Sequence, residues 1–200
     1  MRKAAVFDVG RVLFGWQLGA LFEKLFADQS ELDWFLANVI TEDWHFQHDR
    51  GVPLDEMVPE RIAEFPQYEA QITAYRTRFN ETVTGPVEGT HELVRRLKDA
   101  GVPLFCLTNF GHEFWEHFRP TQPIFDLFDD IIVSGTEQVA KPEARIYEIV
   151  EERSARRGAN LFFTDDNPSN IEAAKARGWN AHLFTSANVL ERQLEAAGLL

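Results

Sequence analysis

Five short apolar runs, each ending at small or polar residues and separated by helical patterns, restrict this chain to few folds. Residues 3–7 run into Asp8-Val9-Gly10, residues 102–107 end at Thr108-Asn109, and residues 131–133 end at Ser134-Gly135. Residues 161–163 end at Thr164-Asp165-Asp166, and residues 181–184 at Thr185-Ser186. Such runs read as buried strands ending at turns. Helical patterns cover residues 90–100, 143–157 and 168–177, closed by Gly101, Gly158 and Gly178. Glycine suits the left-handed position after a helix, and Pro142 and Pro168 suit helix starts. Strands alternating with helices of this length predict an α/β fold whose parallel sheet is covered on both faces.

Residues 16–83 break the alternation. They carry almost no strand signal, and helical patterns at 18–27, 30–40, 54–65 and 68–80 are separated by Gly51-Val52-Pro53 and Phe65-Pro66. That is too much chain for a crossover between neighbouring strands. A small all-helical domain inserted after the first strand is expected at 16–83. Residues 1–15 plus 84–200 would form the core, with joints at 14–16 and 83–86.

Hydrophobic residues at 44% and charged residues at 26% exclude a disordered or low-complexity chain. Twenty basic against thirty-two acidic side chains give a net charge of −12. That field opposes binding to nucleic acid or anionic lipid. No apolar stretch reaches the ~20 residues of a membrane span. Asp8 and Arg11 interrupt the segment where a signal peptide keeps its apolar core. Cys106 is the single cysteine and lies in an apolar run, as expected of a core thiol in a reducing compartment. A cytoplasmic monomer or homodimer is expected.

In open parallel sheets, ligands bind beyond the carboxyl ends of the strands. There the sequence places Asp8, Thr108-Asn109, Lys141 and Asp165-Asp166. Each has a plain structural alternative. Asp165-Asp166-Asn167-Pro168 can cap the next helix, and Lys141 can be a solvated lysine. All four groups at strand ends, in this order, point instead to one shared site. Asp8, Asp165 and Asp166 would bring up to three negative charges together, and like charges ~4 Å apart repel by about 4 kcal/mol at an effective dielectric near 20. Lys141 offsets one. A hard divalent cation resolves the rest, and Mg²⁺ is the usual choice beside a phosphate.

The stretches Val-Phe-Asp8-Val-Gly10-Arg-Val, Leu-Thr108-Asn109, Lys141-Pro-Glu-Ala-Arg-Ile-Tyr and Phe-Phe-Thr-Asp165-Asp166-Asn-Pro-Ser-Asn170-Ile resemble the four motifs of the haloacid dehalogenase-like hydrolase superfamily. The helical insert resembles the small cap domain of its subfamily I. With His45-Phe-Gln-His48-Asp-Arg50-Gly, these stretches most resemble the branch containing bacterial α-D-glucose-1-phosphate phosphatase. The resemblance implies a Rossmann-like sheet and a Mg²⁺-dependent phosphatase of a small phosphorylated metabolite, a sugar phosphate among the candidates. Asp8 would be the nucleophile, forming an aspartyl-phosphate, and Lys141 would hold it ionised. Thr108 and Asn109 would bind phosphoryl oxygens. Asp8, the Gly10 carbonyl and Asp166 would hold the metal, with Asp165 a further candidate beside them.

One position departs from the family. Many of its phosphatases carry a second Asp, as general acid, where this chain has Gly10. The substrate is then expected to have an easily departing leaving group, or the inserted domain to supply a proton. His45 and His48 are the candidates for that proton, a solvated helix face being the alternative. Arg11 either steers an anionic substrate or pairs with an acidic neighbour, and Arg50, Trp16 and Trp44 are candidates for the cap side of the cleft. Two rival functions remain: a 2-haloacid dehalogenase, which the paired Asp165 and Asp166 argue against, and a non-catalytic binding module.

Overall fold

The computed structural model describes residues 2–200. The strands are β1 (Ala4–Phe7), β2 (Phe14–Trp16), β3 (Val83–Pro86), β4 (Leu104–Thr108), β5 (Asp130–Val133), β6 (Leu161–Asp165) and β7 (Asn180–Leu183). The helices are α1 (Gly19–Phe22), α2 (Gln29–Asn38), α3 (Glu42–Asp49), α4 (Leu54–Glu64), α5 (Glu69–Arg78) and α6 (Thr90–Asp99). They continue with α7 (His112–Phe118), α8 (Ser134–Glu137), α9 (Ala144–Ser154), α10 (Pro168–Ala176) and α11 (Ala187–Ala196).

Five strands form a parallel sheet in the order β5-β4-β1-β6-β7. The predicted Rossmann-like sheet flanked by helices is thus present. Successive side chains of a strand point to opposite faces, and both faces are buried. Ala5 and Phe7 of β1 join one apolar cluster with Leu104, Cys106 and Phe162. Ala4 and Val6 join the other, with Phe105, Leu107, Leu161 and Phe163, beneath Ile146 and Tyr147 of α9. Cys106 is therefore a core side chain.

The order also sets where a ligand can sit. The chain moves outward from β1 through β4 to β5, then crosses to β6 and β7 on the other side. The crevice at such a reversal lies beyond the carboxyl end of β1. Phe7 stands opposite Thr164 in the register, and the Asp8 N–H donates to the Thr164 carbonyl at 3.0 Å. Asp8 and Asp165 therefore emerge side by side.

The 16–83 segment departs from expectation at three points. Its joints pair as an antiparallel ribbon of β2 and β3, with Phe14 opposite Pro86 and Trp16 opposite Val83. The helix expected at 18–27 ends after one turn, where the Leu25 N–H folds back onto the Phe22 carbonyl at 2.8 Å. Helix α3, which lies outside the four helical patterns of the segment, carries both His45 and His48. Its start is fixed by Thr41, whose Oγ1 accepts the Trp44 N–H at 3.0 Å. The apolar cluster on one sheet face continues without a break into this segment through Leu21, Phe35, Ile72 and Tyr75. No helix among the described residues is long and apolar enough to cross a membrane.

Candidate active site

Lys141 is the centre of the polar cluster. Its Nζ lies 2.8 Å from Asp8 Oδ1 and 2.6 Å from Asp165 Oδ2, and all three side chains are buried. Asp8 Oδ1 also accepts the Val9 N–H at 2.7 Å, which leaves Oδ2 as the oxygen engaged by neither donor. Asp165 is further held by the Asn170 amide at 3.0 and 3.1 Å and by the Asn167 N–H at 2.8 Å. Its carboxylate is saturated by donors and acts as the anchor of the lysine.

Asp8, Asp165 and Asp166 each offer an oxygen, and these oxygens lie within 4.8 Å of one another. Burial pushes Asp8 up to about 7; Lys141 pulls against the rise while Asp165 and Asp166 add to it. Burial, helped by Asp165, also raises Asp166, with Arg11 opposing. Burial alone would lower the Lys141 ammonium, but the Asp165 and Asp8 carboxylates hold it above the ordinary lysine value. One ammonium therefore does not neutralise three carboxylates. An all-oxygen donor set with surplus negative charge matches a hard divalent cation.

Above this cluster lies a cavity of about 460 Å³. Asp8, Gly10, Asn109, Lys141 and Asp166 line its floor. Its walls are largely aromatic, from Phe14, Trp16, Phe46, Phe79, Phe110 and Phe118. Helix α3 supplies His45 and Asp49.

The predicted residues divide on inspection. Asp8, Gly10, Arg11, His45, Asn109, Lys141 and Asp166 meet at the cavity, with Asp165 buried directly behind. Arg11 lies 3.7 Å from Asp166 and 3.6 Å from Glu42, its guanidinium 5.2 Å from the Trp16 ring centroid, so it pairs with acidic neighbours at the rim. Asn109 is committed to the backbone of Lys141: its Nδ2 donates to the Lys141 carbonyl at 3.0 Å and its Oδ1 accepts the Lys141 N–H at 2.9 Å. Thr108 is buried outside the cavity lining, its hydroxyl 3.4 Å from the Asn109 carbonyl.

Neither histidine lies on a solvated face, because α3 turns both inward. His45 is buried and reaches the cavity. His48 is fully buried but outside the lining. Its Nδ1 faces the Val52 carbonyl at 2.9 Å, its Nε2 lies 3.4 Å from Glu113, and its ring meets Phe114 edge-on. Gly111 makes that seat possible, since a Cβ there would stand 1.9 Å from His48 Cδ2. Arg50 pairs with Glu143 at 3.0 Å, and Trp44 packs on Tyr75 and Arg61; neither lines the cavity. The sequence reading missed Asp49, whose only signal was its place one turn after His45.

Similarity to known proteins agrees with this geometry. A sesquiterpene phosphatase of Aspergillus oryzae is 31% identical over 180 residues, covering 88% of this chain and 86% of that protein. An (S)-2-haloacid dehalogenase of Pseudomonas putida is 33% identical over 111 residues, covering 56% of this chain and 49% of that one. A HAD family enzyme of Bacteroides thetaiotaomicron, solved with magnesium and inorganic phosphate, superposes with a TM-score of 0.72 at 20% identity, covering 93% and 96% of the two chains. The fold is also that of L-2-haloacid dehalogenase from Xanthobacter autotrophicus, with a TM-score of 0.62 at 19% identity over 100% of this chain and 85% of that one. Residues 11–178 match the family model of the haloacid dehalogenase-like hydrolases, and with a relative of 31% identity spanning most of both chains, this protein is a member of that family and an enzyme of the hydrolase class.

Proposed function

We propose that this protein is a magnesium-dependent phosphomonoester hydrolase that works through an aspartyl-phosphate on Asp8. The observation that carries the proposal is the grouping of Asp8, Asp165 and Asp166 around the single Lys141 ammonium. Asp8 Oδ2 attacks phosphorus while Lys141 holds Oδ1 and steadies the carboxylate. Asp8, Asp166 and the Gly10 carbonyl would hold the metal. When bound, the ion neutralises charge on the phosphoryl oxygens. Asp165 keeps Lys141 in place, and Asn109 fixes the Lys141 backbone. Water then releases phosphate from Asp8.

The 16–83 segment is read as a cap that closes the cavity over the reacting phosphate, since α3 delivers His45, Phe46 and Asp49 to the wall opposite Asp8. Within the phosphatase class, the aromatic walls favour a substrate with an apolar organic portion. The sesquiterpene phosphatase likeness points the same way. Sugar phosphates, favoured by the motif resemblance to glucose-1-phosphate phosphatase, form the second substrate arm.

Phosphate release with Mg²⁺ from aryl, isoprenyl and sugar phosphates, with Asp8→Asn as the blank, tests both levels. The expected result is release by the wild type with at least one arm, an apolar preference, and no release above the enzyme-free control for Asp8→Asn. A dehalogenase would instead liberate chloride from 2-chloropropionate in EDTA. A binding module would take up phosphate without turnover.

A further inference from the structure

Gly10 leaves the leaving-group oxygen without an acid from the nucleophile loop, and α3 brings titratable side chains to the cavity, with Glu42 and Asp43 at its exposed start, Glu42 paired with Arg11, and His45 and Asp49 buried. His45 lies flat between Trp16 and Phe79, with centroid separations of 5.2 and 5.3 Å and interplanar angles of 24° and 21°. One of its nitrogens is hydrogen-bonded and the other is aimed at Asp49. Nδ1 meets the buried Tyr75 hydroxyl at 2.7 Å, and Nε2 faces Asp49 Oδ2 at 3.5 Å. The imidazole is therefore fixed in orientation, with Nε2 directed at the Asp49 carboxyl.

Asp49 is the other half of that contact. It lines the cavity although it is only 6% exposed. Its Oδ1 is sealed from solvent and has no hydrogen-bond partner, while Oδ2 is the oxygen that faces His45. Its backbone carbonyl accepts the Ser134 hydroxyl at 2.5 Å, tying it to the end of β5. An unpartnered buried carboxylate oxygen is costly when charged and far less so when protonated. Burial accordingly pushes the Asp49 carboxyl up to about 7, against the pull of His48, the Gly111 backbone and Lys141. Burial pushes His45 down to about 4, with Glu42 opposing, so of the two side chains Asp49 keeps a proton to the higher pH.

We propose that Asp49 is the general acid of the reaction, positioned by His45 and Tyr75, in the role that Gly10 cannot fill. The proposal rests on the phosphatase reading above. In the first step Asp8 Oδ2 bonds to phosphorus, the phosphorus–oxygen bond to the leaving group breaks, and the Asp49 proton passes to the departing alkoxide. In the second, water bonds to phosphorus and gives a proton to the Asp49 carboxylate as the Asp8–phosphorus bond breaks. Both carboxyl groups return to their starting states.

Leaving-group dependence tests this. With Mg²⁺, kcat/KM is measured for p-nitrophenyl phosphate, whose leaving group needs no proton, and for a primary alkyl phosphate, whose leaving group does. The wild type is expected to show a shallow dependence. Asp49→Asn is expected to lose roughly 10²–10⁴-fold on the alkyl ester and far less on the aryl ester. Equal losses on both esters would make Asp49 a structural residue and overturn the assignment. So would a wild-type dependence already as steep as that of the variant, a measurement that does not depend on the variant folding. No Asp8-dependent release from any ester by the wild type would overturn the phosphatase reading itself, and the acid with it.

Discussion

Asp49 and His45 respond to pH in opposite senses. The Asp49 carboxyl is raised from 3.8 to about 7, so the folded state binds its proton more tightly than the unfolded chain does. That contribution is complete below about pH 4 and is lost as pH rises through 7. His45 is lowered from 6.5 to about 4, so its contribution is complete above about pH 6.5 and is lost as pH falls through 4. Between those limits the two slopes oppose each other. Replacing Asp49 by Asn removes one slope and leaves the other. Relative to wild type, Asp49→Asn should therefore gain stability as pH rises from 5 to 8, by up to about 2.7 kcal/mol, since the slope of 1.36 kcal/mol per unit runs only up to about pH 7. Thermal melts across that range check it. An offset independent of pH would contradict the buried neutral carboxyl. At this same scale Lys141, Asp8, Asp165 and Asp166 were legible, because chemistry-bearing residues at strand ends stand out against apolar runs. The commitment of Asn109 to the Lys141 backbone was not, since nothing local in either stretch records a contact across 32 positions.

Helix α3 escaped the sequence pattern because its inward face is polar. Its buried residues are Trp44, His45, His48 and Asp49, so the periodic positions that would announce a helix carry titratable groups in place of aliphatic ones. The ribbon of β2 and β3 was missed because Gly15, Gly85 and Pro86 weaken any strand signal in segments of three and four residues. The five sheet strands and helices α6, α9 and α10 were legible for the opposite reason. Their apolar patterns are uninterrupted, and the helical stretches are flanked by Gly or Pro. Helices α7, α8 and α11 were not expected, and α9 stops at Ser154, where Ala155 turns left-handed, short of Gly158. The start of α3 gives an element-scale prediction. Thr41→Ala removes the Oγ1 acceptor of the Trp44 N–H and should cost about 1 kcal/mol. Because α3 carries both His45 and Asp49, alkyl phosphate turnover should fall further than aryl turnover. A stability loss with both activities reduced equally would show that the helix start does not influence the acid.

For the whole molecule, the surplus carboxylates at the sheet end add to a net charge of −12, so a divalent cation relieves both local and global repulsion. Magnesium should therefore raise Tm. A ligand at 100 times its Kd stabilises by about 2.7 kcal/mol when it binds only the folded state. Calorimetry of the wild type and Asp166→Asn with added Mg²⁺ checks it, with the shift expected to be lost in the variant. An equal shift in both would place the ion elsewhere. The domain-scale picture is coupled as well. The apolar cluster runs unbroken from the sheet into the 16–83 segment, and Gly111 meets His48 where the loop after β4 touches α3. The paired hydrogen bonds of Asn109 with Lys141 stitch that same loop to the one after β5. Anyone grafting either loop from a relative to alter selectivity must transplant both together, because a new loop on one side would arrive without its latch.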